Sequence, residues 1–185
     1  MPAFISYISN FDYAIMHAIQ SIGSRWESVA SFLSHGVGSY PILLLVFFIA
    51  LLCIDKWRAA VELAIISVVS FGILTLLKHY FGIERPYVID PSLISYDKET
   101  SFALPSGHAL MSVVILGWVA IRHPKSHTLL WGTIILIILI GASRIYLGVH
   151  YPSQVVAGWL FGVLILYIAH SLGKRLWTPF RKRLD

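Results

Sequence analysis

Long apolar runs divided by short polar breaks fill most of the chain. Five stretches reach or approach the roughly 20 apolar residues a helix needs to cross hydrocarbon, at residues 35–54, 59–77, 106–121, 129–147 and 153–172. The third is short, so its ends are expected at the interfaces. Ahead of them, Phe4, Ile8, Phe11, Ile15, Ala18, Ile19 and Ile22 recur at helical spacing, with Ser6, Asn10, Asp12 and Gln20 between them. That pattern predicts an amphipathic helix lying in the membrane interface, with a tilted sixth span as the alternative. Ser24-Arg-Trp-Glu27 reads as a capping box opening a second short helix over 27–33. The predicted class is all-α: a polytopic membrane helical bundle of about five spans plus an N-terminal interfacial helix. It forms one domain, with interfacial helices over 1–34, a core over 35–172 and a basic tail over 173–185.

Composition strengthens this picture. Of 185 residues, 57% are hydrophobic and only 12% charged, against about 45–50% and about 25% in soluble domains. Too little polar surface is left to cover a globule in water, which argues against a soluble enzyme, a disordered chain or a disulfide scaffold. The single cysteine, Cys53, allows no intrachain disulfide. The N-terminus lacks the basic region of a cleavable signal.

Charge placement then orients the chain. Lys56 and Arg58, Arg122 and Lys125, and Lys174, Arg175, Arg181, Lys182 and Arg183 all fall on one side of a five-span bundle, nine of the 14 Lys and Arg residues. The positive-inside rule makes that side, with the C-terminus, cytoplasmic. Trp57, Trp118, Trp131 and Trp177 lie near the same boundary. The net charge of +5 is therefore read as topology and lipid contact, and no nucleic-acid partner is expected. Of the outer cations, Lys78, Arg85 and Arg144 stand at the ends of apolar helices, where a positive charge needs an anion or water to meet it.

Three outward segments carry the candidate chemistry: 78–86, 105–108 and 143–154. Lys78, Arg85 and Arg144 supply three positive charges suited to the oxygens of a transferring phosphoryl group. Ser106 is placed to cap a helix whose first amides, at Gly107 and His108, form a ready anion site. Two histidines remain, His108 and His150. Phosphoryl transfer through a covalent intermediate needs two such roles, a nucleophile and a proton donor that later activates water. No metal-ligand spacing is present, so no metal or other cofactor is implied.

These segments read Lys78-x6-Arg85-Pro86, Pro105-Ser106-Gly107-His108 and Ser143-Arg144-x5-His150-x3-Gln154. In that order and spacing the chain resembles the type 2 phosphatidic acid phosphatase (PAP2) superfamily of membrane lipid phosphatases. Pro-Ser-Gly-His alone arises by chance in about one chain in a thousand at average residue usage. The resemblance implies that His150 is the nucleophile and His108 the general acid and then base. It further implies that Lys78, Arg85, Ser106, Gly107 and Arg144 hold phosphate, with Ser143 mainly positioning. Two positions depart from the family pattern. Gln154 stands where the family usually has Asp to orient the nucleophile, and Ile83 where many relatives have another Arg. Two uses of Gln154 are open: orienting His150 through its carbonyl, or capping the last span at its third position.

The resemblance implies hydrolysis of a lipid phosphate at the outer face of a bacterial-type plasma membrane. A polyprenyl diphosphate such as undecaprenyl diphosphate is the favoured substrate. The alternatives are phosphatidylglycerophosphate, phosphatidate, a lipid A phosphate, transfer to a lipid acceptor, and a transporter or scramblase-like bundle that only binds headgroups. The expected partner is a membrane lipid, and the chain a monomer or a homodimer. Elsewhere the readings are structural. His17, His35, His79, His123, His127 and His170 are taken as interfacial or solvated, although His79 adjoins Lys78. Glu62 pairs with Arg58 one helical turn away. Gly158 and Gly162 allow close packing within the bundle, or a dimer seam. The connection over 80–104 is long enough to act as a lid, with Pro86, Tyr87 and Pro91 near an entrance.

Overall fold

The structure, a computed structural model, describes residues 10–53 and 56–181, with side chains as far as Leu172. Phe4, Ile8 and the basic side chains of the tail lie outside the described residues. Among the described residues eight α-helices follow in order: α1 Asn10–Gln20, α2 Glu27–Ser31, α3 Tyr40–Cys53, α4 Trp57–Phe81, α5 Pro86–Ile89, α6 Gly107–Arg122, α7 His127–Tyr146 and α8 Pro152–Arg181. A 3₁₀ turn at Gly23–Trp26 precedes α2, and a π-helical turn at Phe32–Val37 follows it.

Each predicted span is met by a helix, but the helices differ in kind. Among the described residues, Trp57–Ile89, His127–Tyr146 and Pro152–Leu172 are long and apolar enough to cross a membrane. The pair Gly23–Val37 and Tyr40–Cys53, bent by 48°, makes a fourth when taken as one span. The expected continuous span over 35–54 is therefore corrected. The chain kinks at Gly38, where a Cβ would lie 2.6 Å from the Leu33 carbonyl oxygen, and Pro41 then sits in the first turn of α3.

α6 is the short apolar helix, and its position explains its length. Its 16 residues extend about 24 Å, less than the roughly 30 Å of hydrocarbon. It packs against α3, α4, α7 and α8. Leu110, Met111, Val114 and Ile115 are buried among Leu63 and Leu74 of α4 and partly buried side chains of α3 and α8. A helix apolar on every face belongs inside such a bundle, where protein rather than lipid surrounds it. Gly158 and Gly162 make the α6–α8 approach possible. A Cβ on Gly158 would lie 2.7 Å from the Ser106 carbonyl oxygen, and one on Gly162 2.8 Å from that of Leu110. The glycine pair is thus used within the chain, not as a seam between copies. Ile65, Val68, Leu76, Ile135, Leu160 and Tyr167 point outward, an apolar belt for acyl chains.

In the N-terminal segment, α1 is the expected short helix, and it is docked on the bundle: Met16 and Asp12 are buried, and the Asp12 carboxylate accepts from the Ser153 backbone N–H (2.9 Å) and hydroxyl (2.6 Å), tying α1 to the start of α8. The capping box does not form, because no side chain caps α2 and the 3₁₀ turn precedes it. At the far end of the bundle from the three motif segments, Glu62 pairs with Arg122 rather than Arg58 and accepts from the Trp118 indole (3.2 Å). Tertiary packing of α4 on α6 outcompetes the local i,i+4 pair, and Arg58 lies over Trp57 instead.

Candidate active site

Three helix ends build the site. α4 stops at Gly82, whose φ of +57° is the left-handed cap that lets the chain turn back. Lys78, in the last turn, donates from Nζ to the Ser101 hydroxyl (2.8 Å). Arg85 precedes α5 and is buried, with Nε on the Ser101 carbonyl (2.8 Å) and Nη1 on the Val149 carbonyl (3.0 Å). The same Nη1 lies 2.8 Å from Nε2 of His150.

His150 stands between α7 and α8 and is buried. Gly148 makes the turn that delivers it: its φ is +78°, and a Cβ there would collide with the Ile94 carbonyl oxygen. A guanidinium can only donate, so Nε2 is the unprotonated nitrogen and Nδ1 carries the proton. Nδ1 faces Oε1 of Gln154 at 3.3 Å. The same Oε1 accepts from the Tyr151 backbone N–H at 3.1 Å. The two uses foreseen for Gln154 are both present on one oxygen. Burial, and then the charges of Arg85, Arg144 and Lys78, hold the His150 imidazole well below the usual histidine range.

Ser106 occupies the N-cap position of α6, but its hydroxyl caps nothing. Its N–H donates to the Gln154 carbonyl (3.1 Å), joining the α6 and α8 termini. Its Oγ and Nε of Arg144 are among the buried side-chain polar atoms left without a protein partner. Such atoms are costly unless an anion or water completes them. Gly107 starts α6 against Leu74, where a Cβ would lie 3.1 Å from a side-chain methyl. The ring of His108 is flanked edge-on by Tyr40 (5.8 Å) and His35 (6.3 Å). Ser143 directs its hydroxyl to the Ile140 carbonyl (2.7 Å) on its own helix.

Arg144 brings in residues that motif reading missed. Its side chain is fully buried, with Nη1 on Ser34 and on Asp97 (3.2 Å) and Nη2 on Glu99 (2.6 Å). Glu99 also lies 3.7 Å from Arg85, and Asp97 3.0 Å from Nε2 of His35. Ser34 and His35 come from the π-helical turn, a feature frequent at functional sites. His35, expected to be interfacial or solvated, keeps a half-exposed side chain and also joins this cluster. His79 is exposed and packs edge-on against Phe102. The connection over 80–104, foreseen as a lid, supplies Asp97, Glu99 and Ser101, and no local spacing rule singles those three out. Among the described residues no group of three or more His, Cys, Asp or Glu is arranged to hold a metal ion.

A helical membrane bundle with a cationic, histidine-bearing centre at one end defines the class of protein. The sequence profile of the PAP2 superfamily matches residues 56–177, and the chain belongs to that superfamily. The undecaprenyl-diphosphatase of Sulfolobus acidocaldarius is 34% identical over 113 residues, covering 58% of this chain and 54% of the relative. Phosphatidylglycerophosphatase B of Bacillus subtilis is 27% identical over 105 residues, covering 51% of this chain and 50% of the relative. The chain thus spans about half the length of these curated relatives. The fold is shared with the crystal structure of the PAP2-type phosphatidylglycerolphosphate phosphatase of Bacillus subtilis (TM-score 0.73, 22% identity, 90% of this chain and 86% of that one). It is shared also with Aquifex aeolicus LpxE (TM-score 0.74, 23% identity, 87% of this chain and 95% of that one).

Proposed function

We propose that this chain hydrolyses a lipid phosphate or diphosphate without a metal, through a phosphohistidine on His150. One observation carries the reading: the buried His150 keeps its lone pair on Nε2, beside Arg85, with Gln154 behind it. In the first step Nε2 attacks phosphorus in line and the bond to the leaving oxygen breaks. His108 donates the proton that the leaving oxygen takes up. In the second step water attacks the phosphohistidine, His108 accepts its proton, and the N–P bond breaks to release phosphate. Arg85 passes from Nε2 to a phosphate oxygen as substrate arrives, freeing the lone pair. Lys78, Arg144, the Ser106 hydroxyl and the first amides of α6 at Gly107 and His108 stabilise the equatorial oxygens. Ser143 fixes the end of α7 rather than touching phosphate.

The substrate proposed is undecaprenyl diphosphate, converted to undecaprenyl phosphate at the outer face, with the C-terminus cytoplasmic. The named activity of the archaeal relative and the distribution of Lys and Arg support it. The test is phosphate release by purified protein in excess chelator from undecaprenyl diphosphate, phosphatidylglycerophosphate, phosphatidate and a lipid A phosphate. Undecaprenyl diphosphate should be the best substrate, with His150→Ala inactive on all four. Equal activity in His150→Ala overturns the mechanism, strict metal dependence overturns the metal-free reading, and a different best substrate overturns the assignment. Phosphate appearing on a lipid acceptor identifies a transferase. Headgroup binding with no turnover identifies a non-enzymatic bundle.

A further inference from the structure

The site contains its own anions. Asp97 and Glu99 lie on the two ends of the Arg144 guanidinium, and Glu99 also faces Arg85. These are the directions from which a guanidinium grips a phosphate bidentately. Arg144 is fully buried, whereas the side chains of Asp97 and Glu99 are 17% and 27% exposed and have solvent to turn into. Their backbone is held in place. The Tyr87 hydroxyl donates to the Glu99 carbonyl (2.9 Å) and accepts from its N–H (3.2 Å), the Tyr96 N–H reaches the Leu147 carbonyl (3.0 Å), and the Gln20 amide brackets Ile94. A fixed backbone with two partly exposed carboxylates on a buried guanidinium suits side-chain exchange without loop opening.

We propose that Asp97 and Glu99 are built-in competitors for phosphate: their carboxylates hold Arg144 in the resting site, give way to the entering phosphate, and return as the product leaves. The proposal rests on the phosphatase reading, in which Arg144 grips the transferring group. Competition weakens the binding of phosphate, free or on a lipid, and in return prevents the product from remaining on three cations. Fixed orienting partners of Arg144 would have the opposite effect, since their removal would weaken phosphate binding.

The experiment measures inorganic phosphate binding by calorimetry on the full chain in detergent, together with KM and kcat on the lipid substrate. Glu99→Gln should bind phosphate about tenfold more tightly, because the competing charge-assisted pair is gone. KM should fall and kcat should not rise, since release becomes slower. Asp97→Asn should move in the same direction, and it decides the matter if Glu99→Gln does not fold. Glu99→Asp keeps the charge but shortens the reach to Arg144, so it too should bind phosphate more tightly. Asp90→Asn, on an exposed carboxylate that bonds Ser92 in the same connection, should bind as wild type does. Unchanged or weaker phosphate binding in the Glu99 and Asp97 variants overturns the proposal. So does a Glu99→Asp variant that binds as wild type, or an Asp90→Asn variant that tightens equally, since charge alone would then be the cause. Wild-type protein that binds phosphate but releases none from any lipid overturns the phosphatase reading and leaves the competition measurement intact.

Discussion

Beside His150, the uncharged Gln154 stands where the family pattern usually has an acid. The carbonyl oxygen of Gln154 accepts from Nδ1 of His150 and from the Tyr151 N–H, so it sets the tautomer and closes the first turn of α8 together. It contributes no charge to stabilise an imidazolium. Burial and three neighbouring cations hold the His150 pKa low, which favours the neutral imidazole that the proposed attack requires. Activity that needs this neutral form is lost as pH falls through its pKa, and a lowered pKa moves that loss downward. The acid limb of kcat/KM against pH is expected below the usual histidine range. Gln154→Glu places a carboxylate beside the Nδ1–H and favours the imidazolium, so the limb should move to higher pH. Gln154→Ala should lower kcat by about a hundredfold, less than the ~10⁴ ascribed to a triad carboxylate. An acid limb that stays in place in Gln154→Glu would mean that another group is being titrated.

At the level of elements, the α6–α8 contact carries the site. Gly158 meets the Ser106 carbonyl, and Ser106 is also joined by its N–H to Gln154, so helix packing and site geometry meet at one residue. Gly158→Val should force the two helix starts apart at a cost of about 1–3 kcal/mol. It should also depress phosphate release more than a comparable loss of stability elsewhere. Thermal unfolding in detergent, read beside activity, checks this: a destabilised variant with normal specific activity would uncouple the packing from the site. The elements also mark where sequence reading reached its limit. Five apolar runs and three motif ends are legible because spans and helix termini are local properties. The burial of Asp12 on Ser153, the pairing of Glu62 with Arg122 and the arrival of His35 beside Asp97 depend on partners far along the chain. No periodicity records those encounters.

On the scale of the whole molecule, the membrane orients what the bundle assembles. The motif segments gather at one end, and Lys56, Arg58, Arg122 and Lys125 lie at helix ends and in the connections at the other. A reporter fused after Arg183 is therefore expected in the cytoplasm, and one inserted at Pro91 outside it. The reverse result would invert the site. The linear chain by itself determined the helical class, the membrane environment and the three segments that form the candidate site. Hydrophobic length and the short spacings of Lys78–Arg85, Ser106–His108 and Arg144–His150 are complete within each segment. Tertiary structure alone decided that α6 is the enclosed helix and that Arg144 is held by Asp97 and Glu99. It also decided which nitrogen of His150 is unprotonated. Those features arise from contacts between residues as distant as Ser34 and Arg144, and such contacts exist only once the helices have packed.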